Sequence, residues 1–305
     1  MIFNRYRRGL FITSFLAAPV ILYVVYVISP YIQAFYIAMT DWRGVSAMPR
    51  FIGLDNFERL LDDEKFWLAV THNGVLLLLL PLITIVIALF FAFLLNVGGG
   101  HGGRKGIWGS KFYRVLFFFP QILAVAVVAV LFQQAFRPDA SGMVNAPLMA
   151  LGIKPIGFLS EPAVAFWSVL GVMIWQAVGF YVVLFSAGLA SIPRDMFEAA
   201  QIDGAGRISL FIRVTLPLLW DTVQVAWIYL GILALDVFAI VWVMTDQHGG
   251  PDSSTTVMAA EIYRNAFHYS YFGYASALGV VMFFFTIGFA ILALRLSRRE
   301  RIEYQ

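Results

Sequence analysis

The sequence predicts an all-α membrane protein with six transmembrane helices, and three observations carry that reading. The first is composition: of 305 residues, 61% are hydrophobic and 13% charged, with a mean hydropathy of +0.81. A soluble domain has roughly 45–50% apolar and about 25% charged residues, so the bilayer is the expected solvent. The second is segmentation. Apolar stretches near residues 9–29, 75–95, 115–136, 164–189, 218–244 and 275–296 each reach about 20 residues, enough to cross roughly 30 Å of hydrocarbon as a helix. Helices are required because lipid offers the backbone no hydrogen-bond partner, and the period-2 alternation of an outer-membrane barrel is absent. The third is charge. Placing the amino terminus inside puts Arg5, Arg7, Arg8, Arg104, Lys105, Lys111, Arg114, Arg194, Arg207, Arg213, Arg295, Arg298, Arg299 and Arg301 on one side, 14 of the 21 basic residues. That bias predicts both termini in the cytoplasm. Residues 1–305 read as one transmembrane domain. The chain has no cysteine, which excludes disulfides, iron–sulfur clusters and cysteine–zinc sites.

The first span follows a basic lead, as in a signal peptide, but its apolar run is too long and no small-x-small cleavage site closes it, so it is expected to be retained. Residues 31–71 then read as an outer loop, with Trp42, Phe51, Phe57 and Trp67 at the interface and Asp55, Glu58, Asp62, Asp63 and Glu64 making it acidic. The second span ends in Gly98-Gly99-Gly100-His101-Gly102-Gly103-Arg104-Lys105. A phosphate-cradling loop needs Gly-Lys followed by Ser or Thr, and here Gly103 is followed by Arg104, Lys105 and Gly106, so the pattern fails and this chain is not expected to bind ATP. Pro120 stands near the inner end of the third span, and Pro138, Gly142, Asn145 and Pro147 supply the turn chemistry of the loop at 137–162. Gln133 and Gln134 could face a polar pathway or meet headgroups. The fifth span holds Asp221 at its inner end and Asp236 well inside. A carboxylate at membrane depth costs roughly 3 kcal/mol, so Asp236 should face a cavity or a partner helix, and a transport path competes with helix–helix hydrogen bonding as its explanation.

Between the fourth and fifth spans lies SIPRDMFEAAQIDGAGRISLFIRVTLPLL, residues 191–219. Arg194 to Ile202 contains good helix formers, with Met196, Phe197, Ala200 and Ile202 available for one face; Gly204 and Gly206 break that helix. A second piece puts Ile208, Phe211 and Ile212 on one side before Pro217 opens the next apolar run. Glu198-Ala199-Ala200, three residues, Gly204, nine residues, Val214, one residue, Leu216-Pro217 resembles the EAA loop of permease subunits of bacterial ABC importers, with Val214 where isoleucine is usual. Further stretches resemble the maltose-type carbohydrate branch of that family: Phe51-Ile52-Gly53-Leu54-Asp55-Asn56-Phe57, Trp175-Gln176-Ala177-Val178-Gly179-Phe180, Gly249-Gly250-Pro251 and Tyr271-Phe272-Gly273-Tyr274-Ala275-Ser276-Ala277-Leu278. The turn after Thr245 is longer than is usual in the family.

The resemblance implies a type I ABC importer permease fold in the bacterial inner membrane, with a cytoplasmic coupling helix that docks in a cleft of a separate ATPase. It implies a second homologous permease subunit, two copies of the ATPase, an extracytoplasmic solute-binding protein, a sugar substrate and surrounding lipid, with no nucleic acid. ATP and Mg belong to the ATPase, and no cofactor is expected on this chain. In the coupling loop Glu198 and Arg207 would be polar docking contacts, Ala199 and Ala200 would allow close approach, and Gly204 would permit the bend, with Asp203 and Pro217 completing the pattern. Trp175, Gln176 and Phe180 would pass beside the sugar, since aromatic faces pack on C–H and amides bind hydroxyls; otherwise Trp175 and Phe180 are lipid-facing bulk. Two rival classes are an ion-coupled secondary transporter, for which Asp236 is the one supporting carboxylate, and an intramembrane enzyme. The enzyme reading has no nucleophile–base pair or metal spacing behind it, and His72, His101, His248 and His268 all fall outside the expected span cores.

Overall fold

The computed structural model describes residues 2–44, 49–97 and 109–296. The glycine-rich turn at 98–106 and the basic tail with Arg298, Arg299 and Arg301 lie outside the described residues. The chain divides into two compact units, one of residues 1–63 and 261–283 and the other of 64–260 and 284–305.

In the first unit, α1 (Ile2–Tyr23) runs through a π turn, Val24–Ile28, into α2 (Ser29–Ala38), and α3 (Asp55–Leu61) follows. The most apolar window of Phe11–Ala38 buries none of its residues within the chain, which suits a helix whose neighbours are lipid or another subunit. Asn56 is buried, and its Nδ2 donates to the carbonyls of Ala38 and Thr40, each at 2.8 Å. Those acceptors at and beyond the end of α2 would otherwise be orphaned. The first half of α15 (Phe272–Leu296) belongs here too: the Gly273 amide donates to the Trp42 carbonyl at 3.0 Å and the Tyr274 hydroxyl donates to Asp63. The expected outer loop at 31–71 is therefore mostly helical. The first span was expected near residues 9–29, and the helix continues past that end to Ala38. Pro30 is tolerated inside this continuous helix beside the π turn at Val24–Ile28, a local adjustment of the hydrogen-bond ladder of the kind that accommodates a proline.

In the second unit, α4 (Glu64–Val97) packs along α8 (Pro162–Ser191), with α5 (Ser110–Ile122) also on α8 and α12 (Trp220–Leu235) on α4. The short helix α7 (Asn145–Ala150) lies in the loop before α8. Leu76, Leu80, Val182, Phe185, Leu189 and Leu230 form part of a continuous core. Gly179 brings α8 against the backbone of α5: a Cβ there would stand 1.7 Å from the Phe117 carbonyl oxygen. α4 starts earlier than the expected span and takes in His72, whose Nδ1–H donates to the Thr256 carbonyl at 2.8 Å while its ring stacks on Phe166.

Two expected spans are not straight. The segment at 115–136 is two helices, α5 and α6 (Val125–Ala135), bent by 95° at Leu123 and Ala124, which have extended backbone. Pro120 thus stands close to a mid-segment break and not at the inner end of a span. The segment at 218–244 is α12 followed by α13 (Ala239–Met244), with Asp236 to Phe238 between them. A second bend, of 71°, lies at Leu219, between residues 207–218 and α12; among the described residues four helices are long and apolar enough to cross a bilayer, and six if 112–122 with α6 and 207–218 with α12 each count as one span.

Candidate functional site

Residues 191–219 fold as a hairpin of short helices: α9 (Arg194–Ile202), α10 (Arg207–Leu210), a π turn at Phe211–Thr215 and α11 (Leu216–Leu218). α9 ends because Gly204 takes φ +78°; the Gly204 amide donates to Gln201 O at 3.0 Å and the Ala205 amide to Ala200 O at 2.9 Å. This Schellman pattern satisfies the terminal carbonyls and requires a residue at ease in the left-handed region. Gly206, by contrast, has ordinary extended geometry and starts α10. Phe197 is 1% exposed and belongs to the core, as do Ile192 and Leu210, while Ala200 is half-buried against it. Phe211 meets the ring of Phe93 on α4 at 5.0 Å. Buried aromatics thus fasten the hairpin to the helix bundle.

The outward side is unpartnered. Ile202, Ile208 and Ile212 are 86%, 76% and 55% exposed, and Glu198, Ala199, Asp203, Arg207 and Pro217 are exposed as well. Among the described residues Glu198, Asp203 and Arg207 make no side-chain hydrogen bond or ion pair. Ile202 was expected to share one face with Met196, Phe197 and Ala200, and Ile208 and Ile212 to lie with Phe211. The structure splits both sets: Phe197 and Phe211 pack on the core, while Ile202, Ile208 and Ile212 face outward. The result is a core-anchored knob with charged groups interspersed among exposed isoleucines.

The four residues expected along a substrate path do not gather at one place. Gln176 and Asp236 line one recess of about 290 Å³, near the lower end of small-molecule sites. The recess lies where the two breaks meet. Gln176 Nε2 donates to the Leu123 carbonyl at 3.3 Å, at the α5–α6 bend, and Asp236 forms the carboxyl end of α12; α6 and α13 pack together beyond. Irregular backbone of this kind is stable in a membrane protein only where protein buries it or it borders a cavity. Asn73 on α4 holds the second break from behind: its Nδ2 donates to the Ala234 and Leu235 carbonyls at 2.9 and 3.1 Å and its Oδ1 accepts the Met258 amide of α14 (Met258–Tyr263) at 2.9 Å. The Asp236 carboxylate has no hydrogen bond or ion pair among the described residues.

Trp175 instead packs its ring on Phe132 at 5.0 Å and lines a separate, almost wholly apolar groove of about 540 Å³ with Phe117, Phe119 and Gly179. Phe180 borders neither cavity and lies edge-on to Tyr181. Gln176 and Ala177 turn to the recess, while Trp175, about 100° further round α8, turns with Ile174 to the apolar groove. Sequence reasoning missed Gln121, which lines the recess one residue after Pro120, and Asn73. A proline followed by a glutamine inside an apolar run was the available sign of the first; nothing local marks the second. Among the described residues no group of three or more His, Asp or Glu side chains could hold a metal ion.

The model of the binding-protein-dependent transport system inner membrane component family matches residues 75–302. The chain is similar to the diacetylchitobiose uptake system permease protein NgcF of Streptomyces coelicolor, 40% identical over 96% of this chain and 84% of that protein. It is also similar to the multiple sugar-binding transport system permease protein MsmF of Streptococcus mutans, 32% identical over 95% and 96%. Among solved structures, a chain of a bacterial alginate ABC transporter in complex with its alginate-bound periplasmic protein superposes with a TM-score of 0.82, at 23% identity over 97% of this chain and 96% of that one, so the two share a fold. With 228 consecutive residues matched and relatives aligned along nearly its full length, this chain belongs to the family of binding-protein-dependent transport system inner membrane components and is a multi-pass membrane protein.

Proposed function

We propose that this chain is one permease half of an ATP-driven importer that moves a carbohydrate received from a solute-binding protein. The single observation that carries the proposal is the knob at 191–219: exposed isoleucines around Glu198, Asp203 and Arg207, fastened to the bundle through Phe197 and Phe211. A protein without its own nucleotide site has to receive work mechanically, and a stiff, core-anchored projection transmits displacement where a flexible loop would absorb it. Closing of two ATPase subunits around this knob would pull on α8 and α12, the helices at its two ends, and exchange an inward-open for an outward-open cavity. ATP biases that exchange only through its different affinity for the two states.

The carbohydrate assignment rests on the relatives' names and on the recess, whose amides and carboxylate suit hydroxyl groups. A second homologous permease, a pair of ATPases on the cytoplasmic side, both termini on that same side, and ATP with Mg held by the ATPases complete the reading; no cofactor sits on this chain. The ion-coupled alternative has no feature here beyond Asp236.

Affinity purification of the chain in detergent should bring down an ATPase, and Ile202→Asp should remove that partner while membrane insertion is unchanged, because Ile202 contributes nothing to the core. Transport by the chain alone in liposomes, driven by a pH gradient without ATP, would refute the reading.

A further inference from the structure

The recess between the two helix breaks contains an asymmetry of charge. Gln121, Gln176 and Asp236 are its polar side chains, with Met173, Ala177 and Leu233 among the apolar ones, and no basic residue lines it. The Asp236 carboxylate is exposed to the recess and has neither a cation nor a hydrogen-bond donor among the described residues. An amide can present a donor or an acceptor to a hydroxyl, whereas an ionised carboxylate only accepts. A site of this make-up hydrogen-bonds a neutral polyol through all three groups. It would have to place an incoming carboxylate or sulfonate beside a like charge in a low-dielectric pocket, where repulsion is weakly screened.

We propose that this recess is a charge filter on the solute path, with Asp236 the discriminating group: it admits uncharged or cationic hydroxyl-bearing solutes and turns away anionic ones such as uronate or sulfonate sugars. This rests on the proposed transport function, and it adds a substrate class that neither the family nor the exposed knob implies. Specificity here is a difference of affinities produced by a repulsive element, with the amides supplying attraction common to every sugar.

The chain has no cysteine, so Ala177→Cys places its only thiol on the recess wall while leaving all three polar groups in place. In the purified complex with cysteine-free partners, the thiol is treated with three small methanethiosulfonates, one carrying an ammonium, one neutral and one carrying a sulfonate. Each rate is divided by that reagent's rate with a small thiol in solution. The expected order is ammonium, neutral, sulfonate, with about 10-fold or more between the extremes, the size of enrichment that a charged cleft produces. Adding Asp236→Asn should bring the three rates together, and adding Asp236→Glu should keep them apart. Equal rates in the single-thiol protein overturn the filter, and so does an order that persists with Asp236→Asn. Should Asp236→Asn fail to assemble, the three rates in the single-thiol protein decide alone. ATP-driven saccharide uptake is measured separately. Uptake with equal rates discards the filter and keeps the importer, while ordered rates without uptake of any saccharide discard the importer.

Discussion

Gly204 shows how one residue sets the shape of the exposed knob. Its φ of +78° is reached without any crowding, since a Cβ there would meet nothing within 4 Å, so the demand is purely conformational. Gly204→Ala should therefore cost the turn about 1–2 kcal/mol, and Gly204→Asn less, because asparagine tolerates the left-handed region. Hydrogen exchange at the α9 amides should speed up in the order glycine, asparagine, alanine, with no change in α4 or α8. Phe197 makes the opposite kind of contribution. It is buried, and Phe197→Ala should remove about 3–5 kcal/mol of packing and release the knob from the bundle. ATPase capture would then fall although every exposed contact residue is intact. Residues of the second kind were legible as helix-face apolars, but their division between core and surface was not: Phe197 and Ile202 look alike in a list of hydrophobic positions, and only tertiary packing separates them.

At the scale of elements, the bend between α5 and α6 and the break between α12 and α13 are what make the recess. Asn73 replaces water at the last carbonyls of α12 and at the first amide of α14, and such groups left buried without partners cost about 1–3 kcal/mol each. Asn73→Ala should lower the thermal midpoint of the purified complex, and Asn73→Asp, which keeps the acceptor for Met258 and loses both donated bonds, should lower it as well. The α5–α8 contact depends on Gly179, where a methyl group would overlap the Phe117 carbonyl. Gly179→Ala has to push the helices apart, at a cost of at least about 1–3 kcal/mol, and should be read as poor insertion or a lowered midpoint. The breaks were hidden in the sequence because a residue run of uniform apolarity looks the same whether it is one rod or two. Pro120 and Asp236 mark their neighbourhoods, but the polar groups that stabilise the bends, Gln176 and Asn73, come from other helices more than fifty residues away in the chain or farther.

For the molecule as a whole, the proposed arrangement places the knob and the basic segments on the cytoplasmic side. A single thiol at Ile202→Cys should react with a membrane-impermeant maleimide in inside-out vesicles and stay unlabelled in intact cells. Labelling from the outside would reverse the orientation and remove the proposed link to ATP.

Composition, run length and the spacing around Glu198, Gly204 and Pro217 were enough to determine a helical membrane protein of this permease family, because lipid leaves the backbone few choices and the turn chemistry of the hairpin at 191–219 lies in contiguous residues. Which polar side chains share a cavity was decided only by tertiary structure. Gln121, Gln176 and Asp236 meet because two helices break and pack together, while Trp175, beside Gln176 in the chain, packs on Phe132 and lines a separate apolar groove. Local sequence specifies what a helix is made of; the direction each face points is fixed by the neighbours it packs against.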